Sequence, residues 1–145
     1  MRQSSCHLLN LKKRTFFMWI KYNANPVANR IEDCAIRAVA VAMDIPWDEA
    51  FDLIAESAKA MGGVMHLNAA FGAVLRQHGF RRYIIPNHCP DCYTIKDFCR
   101  DHPEGTFVVG TSSHVVAVIN GDYIDTWDSG DEIPIYYWED VKNGI

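Results

Sequence analysis

Apolar and polar residues along the chain predict helices in its first part and strands in its last part. Residues 34–45 are nearly all apolar, as is typical of a helix buried on most sides, and Asp33 before them is a suitable N-cap. Gly62 and Gly79 end the next two predicted helices. The predicted helices cover 34–45, 46–62, 68–79 and 94–102, and the predicted strands cover 18–23, 80–86, 106–111, 114–119, 123–128 and 134–138. This order predicts an α+β fold with N-terminal helices packed on one side of a C-terminal antiparallel sheet.

The length of the chain, 145 residues, is enough for one domain with a hydrophobic core. We expect this single domain to span residues 18–145, since no internal repeat or linker divides them. Residues 1–17 are basic and follow no clear periodicity, and Met18 could serve as a start in its own right. The sequence therefore predicts an N-terminal extension, 1–17, outside the fold.

Composition and charge exclude several classes of partner. The net charge is −4 and no basic stripe is present, which argues against nucleic acid. No apolar run approaches the roughly 20 residues of a membrane span, and no convincing signal peptide is found. The five cysteines are odd in number and unevenly spaced, so they do not suggest a disulfide framework. These features predict a cytoplasmic protein with reduced thiols that does not bind membranes.

Cys34 stands at the start of the predicted helix 34–45. A helix N-terminus carries partial positive charge and unpaired N–H groups, which favour thiolate over thiol and can hold an oxyanion. A free cysteine in an apolar helix is, however, commonly just a small buried side chain. The choice between nucleophile and core residue depends on what faces Cys34.

The predicted hairpin over 114–128 supplies the other parts of a nucleophilic site. His114 begins its first strand, and Asp125 and Asp128 lie on the return strand among apolar residues. In a Cys–His–Asp triad the carboxylate orients the imidazole, and the imidazole takes the proton from the thiol. We therefore interpret Cys34, His114 and one of the two aspartates as a candidate catalytic triad.

The turn of the hairpin bears on which aspartate faces the histidine. Asn120-Gly121 is a strong signal for a two-residue turn, and this turn places Asp125 on the face of His114 and Asp128 on the opposite face. A three-residue turn would instead pair His114 with Asp128. The two-residue turn favours Asp125, and Asp128 stays the alternative.

The order of these parts resembles the papain-like cysteine peptidase superfamily. The segments "EDCAIRAVA" and "HVVAVINGDYIDTWDSG" carry the resemblance: a cysteine opens a buried helix, further helices follow, a histidine opens a strand, and an acid lies on the next strand. The resemblance covers about residues 18 to 138 and looks closest to small bacterial and phage domains similar to bacteriocin-processing peptidases. It implies a papain-like fold and a cysteine hydrolase that cleaves an amide or isopeptide bond of a peptide or protein, with no cofactor required.

The superfamily is divided on the third residue of the triad. Its cell-wall endopeptidase branch favours Asp125, whereas alignment with papain itself favours Asp128. In the papain and bacteriocin-processing branches a glutamine upstream of the cysteine contributes to the oxyanion hole, but no glutamine stands near Cys34. The nearest amides, Asn29 and Asn25, are therefore the candidate oxyanion donors.

The segment 88–102 suggests a different chemistry. Cys89 and Cys92 form a C-x-x-C, and Cys99 and His102 follow, so four soft ligands are available for a tetrahedral structural zinc. The same C-x-x-C after a strand could be a redox pair, or the segment could be a turn with Cys99 in the core. Two alternatives to the hydrolase follow: a catalytically silent or zinc-stabilised interaction module, and a thiol–disulfide protein.

Overall fold

A computed structural model of the chain describes residues 17–27, 32–87 and 92–142. Over these residues the chain forms four helices and six strands. The helices are α1 (Cys34–Met43), α2 (Trp47–Ala60), α3 (Asn68–Gln77) and α4 (Ile95–Asp101). The strands are β1 (Met18–Lys21), β2 (Phe80–Ile84), β3 (Thr106–Gly110), β4 (Val115–Ile119), β5 (Asp122–Asp125) and β6 (Tyr136–Asp140). The prediction of an α+β fold is confirmed.

The six strands form one mixed sheet in the order β1-β5-β4-β3-β6-β2. All neighbouring pairs are antiparallel except the edge pair, in which β1 runs parallel to β5. The prediction of an antiparallel sheet is therefore wrong at this edge. A parallel pair needs a long connection, and the whole helical part of the chain lies between β1 and β5.

Helices cover both faces of the sheet. On one face, α1, α2 and α3 pack against side chains such as Val108, Ala117 and Trp138. On the other face, α4 packs against residues of the same strands that alternate with the first set: Phe107, Val109, Val116 and Val118. The prediction that the helices lie on one side of the sheet is correct for α1–α3 and wrong for α4. Both faces of β3 and β4 are apolar, so helices cover both faces.

The β4–β5 hairpin has the register that a two-residue turn requires. Ile119 pairs with Asp122 and Val118 with Tyr123, which leaves Asn120 and Gly121 as the turn. Both turn residues have positive φ, +50° and +83°, as the favoured hairpin turn demands. The predicted two-residue turn is therefore confirmed.

Phe17 is the one residue of the predicted N-terminal extension that the structure describes. Residues 1–16 of the predicted extension lie outside the described residues. Phe17 belongs to the predicted extension, yet its ring lies 6.4 Å from that of Tyr123, and β1 begins at Met18. None of the described helices is long and apolar enough to cross a membrane.

Tyr136 carries the only buried side-chain nitrogen or oxygen without a hydrogen-bond partner in the part of the chain that the structure describes. Its ring lies directly over Gly110 on the neighbouring strand, where a Cβ would overlap with the phenol. An unsatisfied buried hydroxyl opposes folding because it loses its hydrogen bonds to water.

We therefore expect Tyr136→Phe to raise the free energy of unfolding by about 1 kcal/mol. Urea unfolding of the variant and the parent measures this difference. Gly110→Ala is the opposing control, and it should destabilise the protein because the added methyl group meets the Tyr136 ring. A Tyr136→Phe variant that is less stable than the parent would show that the hydroxyl makes a stabilising interaction.

Candidate active site

The N-terminus of α1 and the β3–β4 connection meet at a cavity of about 520 Å³. Cys34 enters it from the first position of α1, and His114 enters it from the end of the connection, directly before β4. Side chains of α2 and α3, among them Trp47 and Phe71, line the same cavity. The two candidate residues that are 80 positions apart in sequence therefore share one cavity wall.

Cys34 is a free, half-buried thiol at the N-terminus of α1. Asp33 occupies the N-cap position as expected, but its side chain makes no capping hydrogen bond. The Asp33 carboxylate instead accepts hydrogen bonds from the side chains of Asn25, Arg37 and Trp47. The N–H groups in the first turn of α1 are consequently not capped by the Asp33 side chain.

His114 is held by Asp125 in a buried contact. The imidazole Nε2 lies 2.6 Å from Oδ2 of Asp125, and both side chains are less than 10% exposed. Because Nε2 is occupied by the carboxylate, Nδ1 is the ring nitrogen left for the thiol of Cys34. The ring of Trp127 lies beside the imidazole, with 5.0 Å between the ring centroids.

Asp125 has a full set of partners. Besides His114, Oδ2 accepts a hydrogen bond from the hydroxyl of Ser129 at 2.6 Å, and Oδ1 accepts one from the N–H of Thr126 at 2.8 Å. Oδ1 also lies 3.5 Å from Nη2 of Arg37. Both oxygens of this buried carboxylate therefore have partners in the fold.

Asp128, the alternative triad acid, lies elsewhere. It is exposed, and its Oδ1 accepts hydrogen bonds from the hydroxyl of Tyr123 and the N–H of Gly130. The structure thus brings Asp125, and not Asp128, to His114.

The pKa values of the thiol and the imidazole move in opposite directions. Burial alone would raise the pKa of Cys34, but the hydrogen bond and charge of His114, the N–H of Val115 and the charge of Arg37 together lower it below 9.0. Burial alone would lower the pKa of His114, but its hydrogen bonds to Asp125 and Cys34 and their charges raise it to about 9. Opposite shifts of this kind favour a thiolate–imidazolium pair in the pH range between the two pKa values.

Arg37 connects the helix that carries Cys34 to Asp125, the candidate triad acid. It lies one turn after Cys34 on α1, and its side chain is only 15% exposed. Nη1 contacts Oδ1 of Asp33 at 2.5 Å, while Nη2 reaches Oδ1 of Asp125. One guanidinium therefore bridges two buried carboxylates and supplies positive charge to both.

The structure describes one of the two candidate oxyanion donors, Asn25. Asn29 lies outside the described residues. Asn25 is buried and lines the cavity, but its side-chain NH₂ donates to Oδ2 of Asp33 at 2.9 Å and its Oδ1 accepts from the N–H of Val27. These bonds make Asn25 part of the loop that holds Asp33 in place.

The structure does not gather the candidate zinc ligands that it describes. Cys89 lies outside the described residues, and Cys92 is disulfide-bonded. The thiol of Cys99 is 1% exposed, and burial, followed by the charge of Asp122, raises its pKa to about 12. His102 places Nδ1 2.9 Å from the carbonyl oxygen of Phe98 and stacks on the ring of that residue. No group of three or more His, Cys, Asp or Glu side chains that could hold a metal ion is found among the described residues.

The expectation of reduced thiols holds for Cys34 and Cys99 and is wrong for Cys92. Because the other two described cysteines are free, the partner of Cys92 lies outside the described residues. Odd number and uneven spacing argue against a framework of several disulfides, but they say nothing against a single bond.

Sequence reasoning missed Arg37 and Ser129. Arg37 is the only charged residue in the ten residues of α1, and a lone charge in an apolar helix is a signal that it has a buried partner. Ser129 gives no comparable signal, because serine is a common loop residue and this one directly follows the predicted strand 123–128.

Comparison with known proteins yields no relative. No known protein family, curated protein or solved structure matches this chain.

His114→Ala should raise the pKa of the Cys34 thiol, because burial then acts without the imidazolium that offsets it. Thiolate is lost as the pH falls through the thiol pKa, so the variant should react about tenfold or more slowly with iodoacetamide at pH 7. Mass spectrometry of the Cys34 peptide measures the rate against pH, and His78→Ala, which changes a histidine at the end of α3, is the matched control. Superimposable profiles for His114→Ala and the parent would mean that the two side chains do not interact.

Arg37→Gln should act on both stability and thiol reactivity. Removal of the cation leaves two buried carboxylates without their shared partner, and we expect a loss of about 3 kcal/mol in urea unfolding. It should also slow Cys34 alkylation at pH 7, since the Arg37 charge lowers the thiol pKa. Arg37→Lys should keep most of the reactivity, whereas the double variant Asp33→Asn/Arg37→Gln should regain stability but not reactivity. Equal reactivity of Arg37→Gln and the parent would limit Arg37 to a structural role.

Proposed function

We propose that this protein is a cysteine hydrolase with a papain-like arrangement of parts, and that it cleaves an amide or isopeptide bond of a peptide or protein. The observation that carries the proposal is the buried contact of Asp125 with His114 beside the thiol of Cys34, in the wall of a cavity. The opposite pKa shifts of the thiol and the imidazole support it, because a nucleophilic cysteine needs its thiolate near neutral pH.

In the first half of the proposed reaction, the Cys34 thiolate attacks the carbonyl carbon and the carbonyl oxygen takes up the negative charge. First-turn N–H groups of α1, which the Asp33 side chain does not cap, stabilise this oxyanion. The intermediate collapses when Nδ1–H of His114 gives its proton to the leaving nitrogen. The C–N bond breaks, an amine leaves, and the acyl group stays on Cys34 as a thioester.

In the second half, a water molecule attacks the thioester carbonyl. The neutral imidazole of His114 takes a proton from this water, and the C–S bond breaks to release a carboxylic acid. The thiolate and the imidazolium are thereby restored. Through its contact with Nε2, Asp125 holds the imidazole in one orientation in both halves and stabilises its charged form. Ser129 and Arg37 keep Asp125 in place.

A second candidate function is thiol–disulfide exchange at Cys92. The disulfide of Cys92 favours this function. It also favours a redox pair over a zinc site, because zinc is bound by thiolates and a cysteine in a disulfide has none. Alkylation of Cys92 only after treatment with a mild reductant, with Cys34 reactivity unchanged, would indicate that the two chemistries are separate.

Asp125→Ala and Asp128→Ala test the proposed hydrolase as a matched pair. Both remove a carboxylate from the segment around the end of β5, but only Asp125 contacts His114. Release of new amino groups from a peptide library should fall at least about 100-fold in Asp125→Ala and stay near the parent in Asp128→Ala.

Cys34→Ala gives the baseline for this experiment, since alanine is well tolerated in a helix. Parent activity equal to that of Cys34→Ala would refute the hydrolase and leave a catalytically silent interaction module. Full activity of Asp125→Ala with a loss in Asp128→Ala would assign the triad acid to the other aspartate.

A further inference from the structure

We infer that the open edge of strand β2 binds an extended acidic segment of a partner protein, which adds to the sheet as a further strand. β2 is the last strand of the sheet, and no strand among the described residues pairs with its outer side. An edge strand offers unpaired N–H and C=O groups to an extended chain that aligns with them. The inference does not depend on the proposed hydrolase function, because no residue of β2 lines the cavity at Cys34.

The hydrogen bonds between β2 and β6 show which backbone groups face outward. Directly before β2, the carbonyl oxygen of Gly79 accepts a hydrogen bond from the N–H of Val141 at 3.1 Å, in the same register as the strands. Hydrogen-bonded and non-hydrogen-bonded pairs alternate in an antiparallel ladder, so the odd-numbered residues of β2 direct their backbone groups at β6. The N–H and C=O groups of Arg82 and Ile84 therefore point away from the sheet, toward an added strand.

Three arginines give this edge a positive charge. Arg81 and Arg82 are consecutive on β2, so their side chains lie on opposite faces of the sheet. On one face, Arg82 lies 4.7 Å from the ring centroid of Tyr136, and Arg76 of α3 lies 5.2 Å from that of Trp138. All three arginines are exposed, and none makes an ion pair within the described part of the chain. Their charge is therefore available to a partner on both faces.

The sign of this charge selects the occupant of the edge. A second copy of β2 would bring arginines close to arginines, since the strand has two and no acidic residue. The N-terminal segment 1–16 contains four basic residues and no acidic one, so it has the same sign as the edge. Glu139 pairs with Arg81 in the ladder but forms no ion pair with it. A strand with acidic side chains opposite Arg81 and Arg82 would form ion pairs on both faces.

The remaining side chains of the edge favour apolar and aromatic partners. Ile84 is 64% exposed. Tyr83 is half-buried and stacks on Tyr137, with 5.1 Å between the ring centroids. An apolar residue opposite Ile84 and an aromatic residue opposite Tyr83 would cover these side chains. An antiparallel partner strand therefore reads apolar, aromatic, acidic, acidic.

Two rhodamine-labelled peptides test the charge of the partner by fluorescence anisotropy at low ionic strength. Thr-Val-Tyr-Glu-Glu-Thr has the inferred pattern, and Thr-Val-Tyr-Lys-Lys-Thr differs only in the sign of two side chains. We expect the Glu peptide to bind at least about fivefold more tightly than the Lys peptide, because cross-strand ion pairs replace like-charge contacts.

Two N-methylated forms of the Glu peptide test the added strand itself. In the inferred register, Val and the first Glu lie opposite Ile84 and Arg82, and their N–H groups point at β2. Methylation of these two nitrogens should abolish measurable binding. Methylation at Tyr and the second Glu, whose N–H groups point away from β2, should leave the Kd within about twofold. Any other ranking of the two methylated peptides would overturn the inference.

Variants of the full chain locate the binding at β2. Arg82→Gln should weaken binding of the Glu peptide at least about threefold. Lys21→Gln is the matched control, since it removes an exposed positive charge from the other edge strand, β1, and should leave the Kd unchanged. Ile84→Pro should abolish binding while the β2–β6 hydrogen bonds stay intact, because the N–H that proline lacks points outward. If Ile84→Pro does not fold, the methylated peptides decide the same point.

Three further outcomes would overturn the inference. Equal binding of the Glu and Lys peptides, or no binding of either, would show that the edge does not select an acidic strand. An equal loss in Arg82→Gln and Lys21→Gln would reduce the effect to general attraction of charge. A dimer of the parent chain in analytical ultracentrifugation that Ile84→Pro abolishes would assign the edge to a second copy of this chain.

Discussion

The carboxylate of Asp125 is the group on which the arrangement of the site depends. A buried carboxylate is tolerated only with donors and positive charge around it, and those of Asp125 come from three different parts of the chain. His114 reaches it from the start of β4, Ser129 from the loop after β5, and Arg37 from α1. Satisfaction of one buried charge therefore determines how the helix that bears the thiol lies against the strand that bears the imidazole.

The second carboxylate, Asp33, extends this network into the helical layer. Its partners are Arg37 on α1, Trp47 on α2 and Asn25 on the loop before α1. Arg37 is shared between Asp33 and Asp125, so Trp47 in the cavity lining and the His114–Asp125 pair belong to one network of hydrogen bonds and ion pairs. Removal of one member of such a network costs more than a single bond, because its former partners stay buried with one hydrogen bond or ion pair fewer.

Local signals account for what could be predicted from the sequence. Asn120-Gly121 sets the hairpin register through the backbone conformation of two adjacent residues, and the position of Cys34 follows from the apolar run that it opens. The parallel pairing of β1, the position of α4 on the far face and the bridge of Arg37 depend on residues distant in sequence. The hydrophobic periodicity of one segment does not indicate which distant segment it contacts. These features therefore could not be predicted from the sequence and are seen only in the folded chain.

The parallel pairing of β1 with β5 also has a consequence for the order of events during synthesis. The N–H of Met18 donates to the side chain of Asp122, which lies 104 positions further along. His114 and Asp125 are likewise made long after Cys34, and contacts of such sequence separation form late. While the ribosome is still extending the chain through α1–α3, Cys34 lacks the contact with His114 and Arg37 lacks the contact with Asp125. The pKa of the thiol is therefore lowered only after His114 and Val115 have been synthesised and have packed against α1.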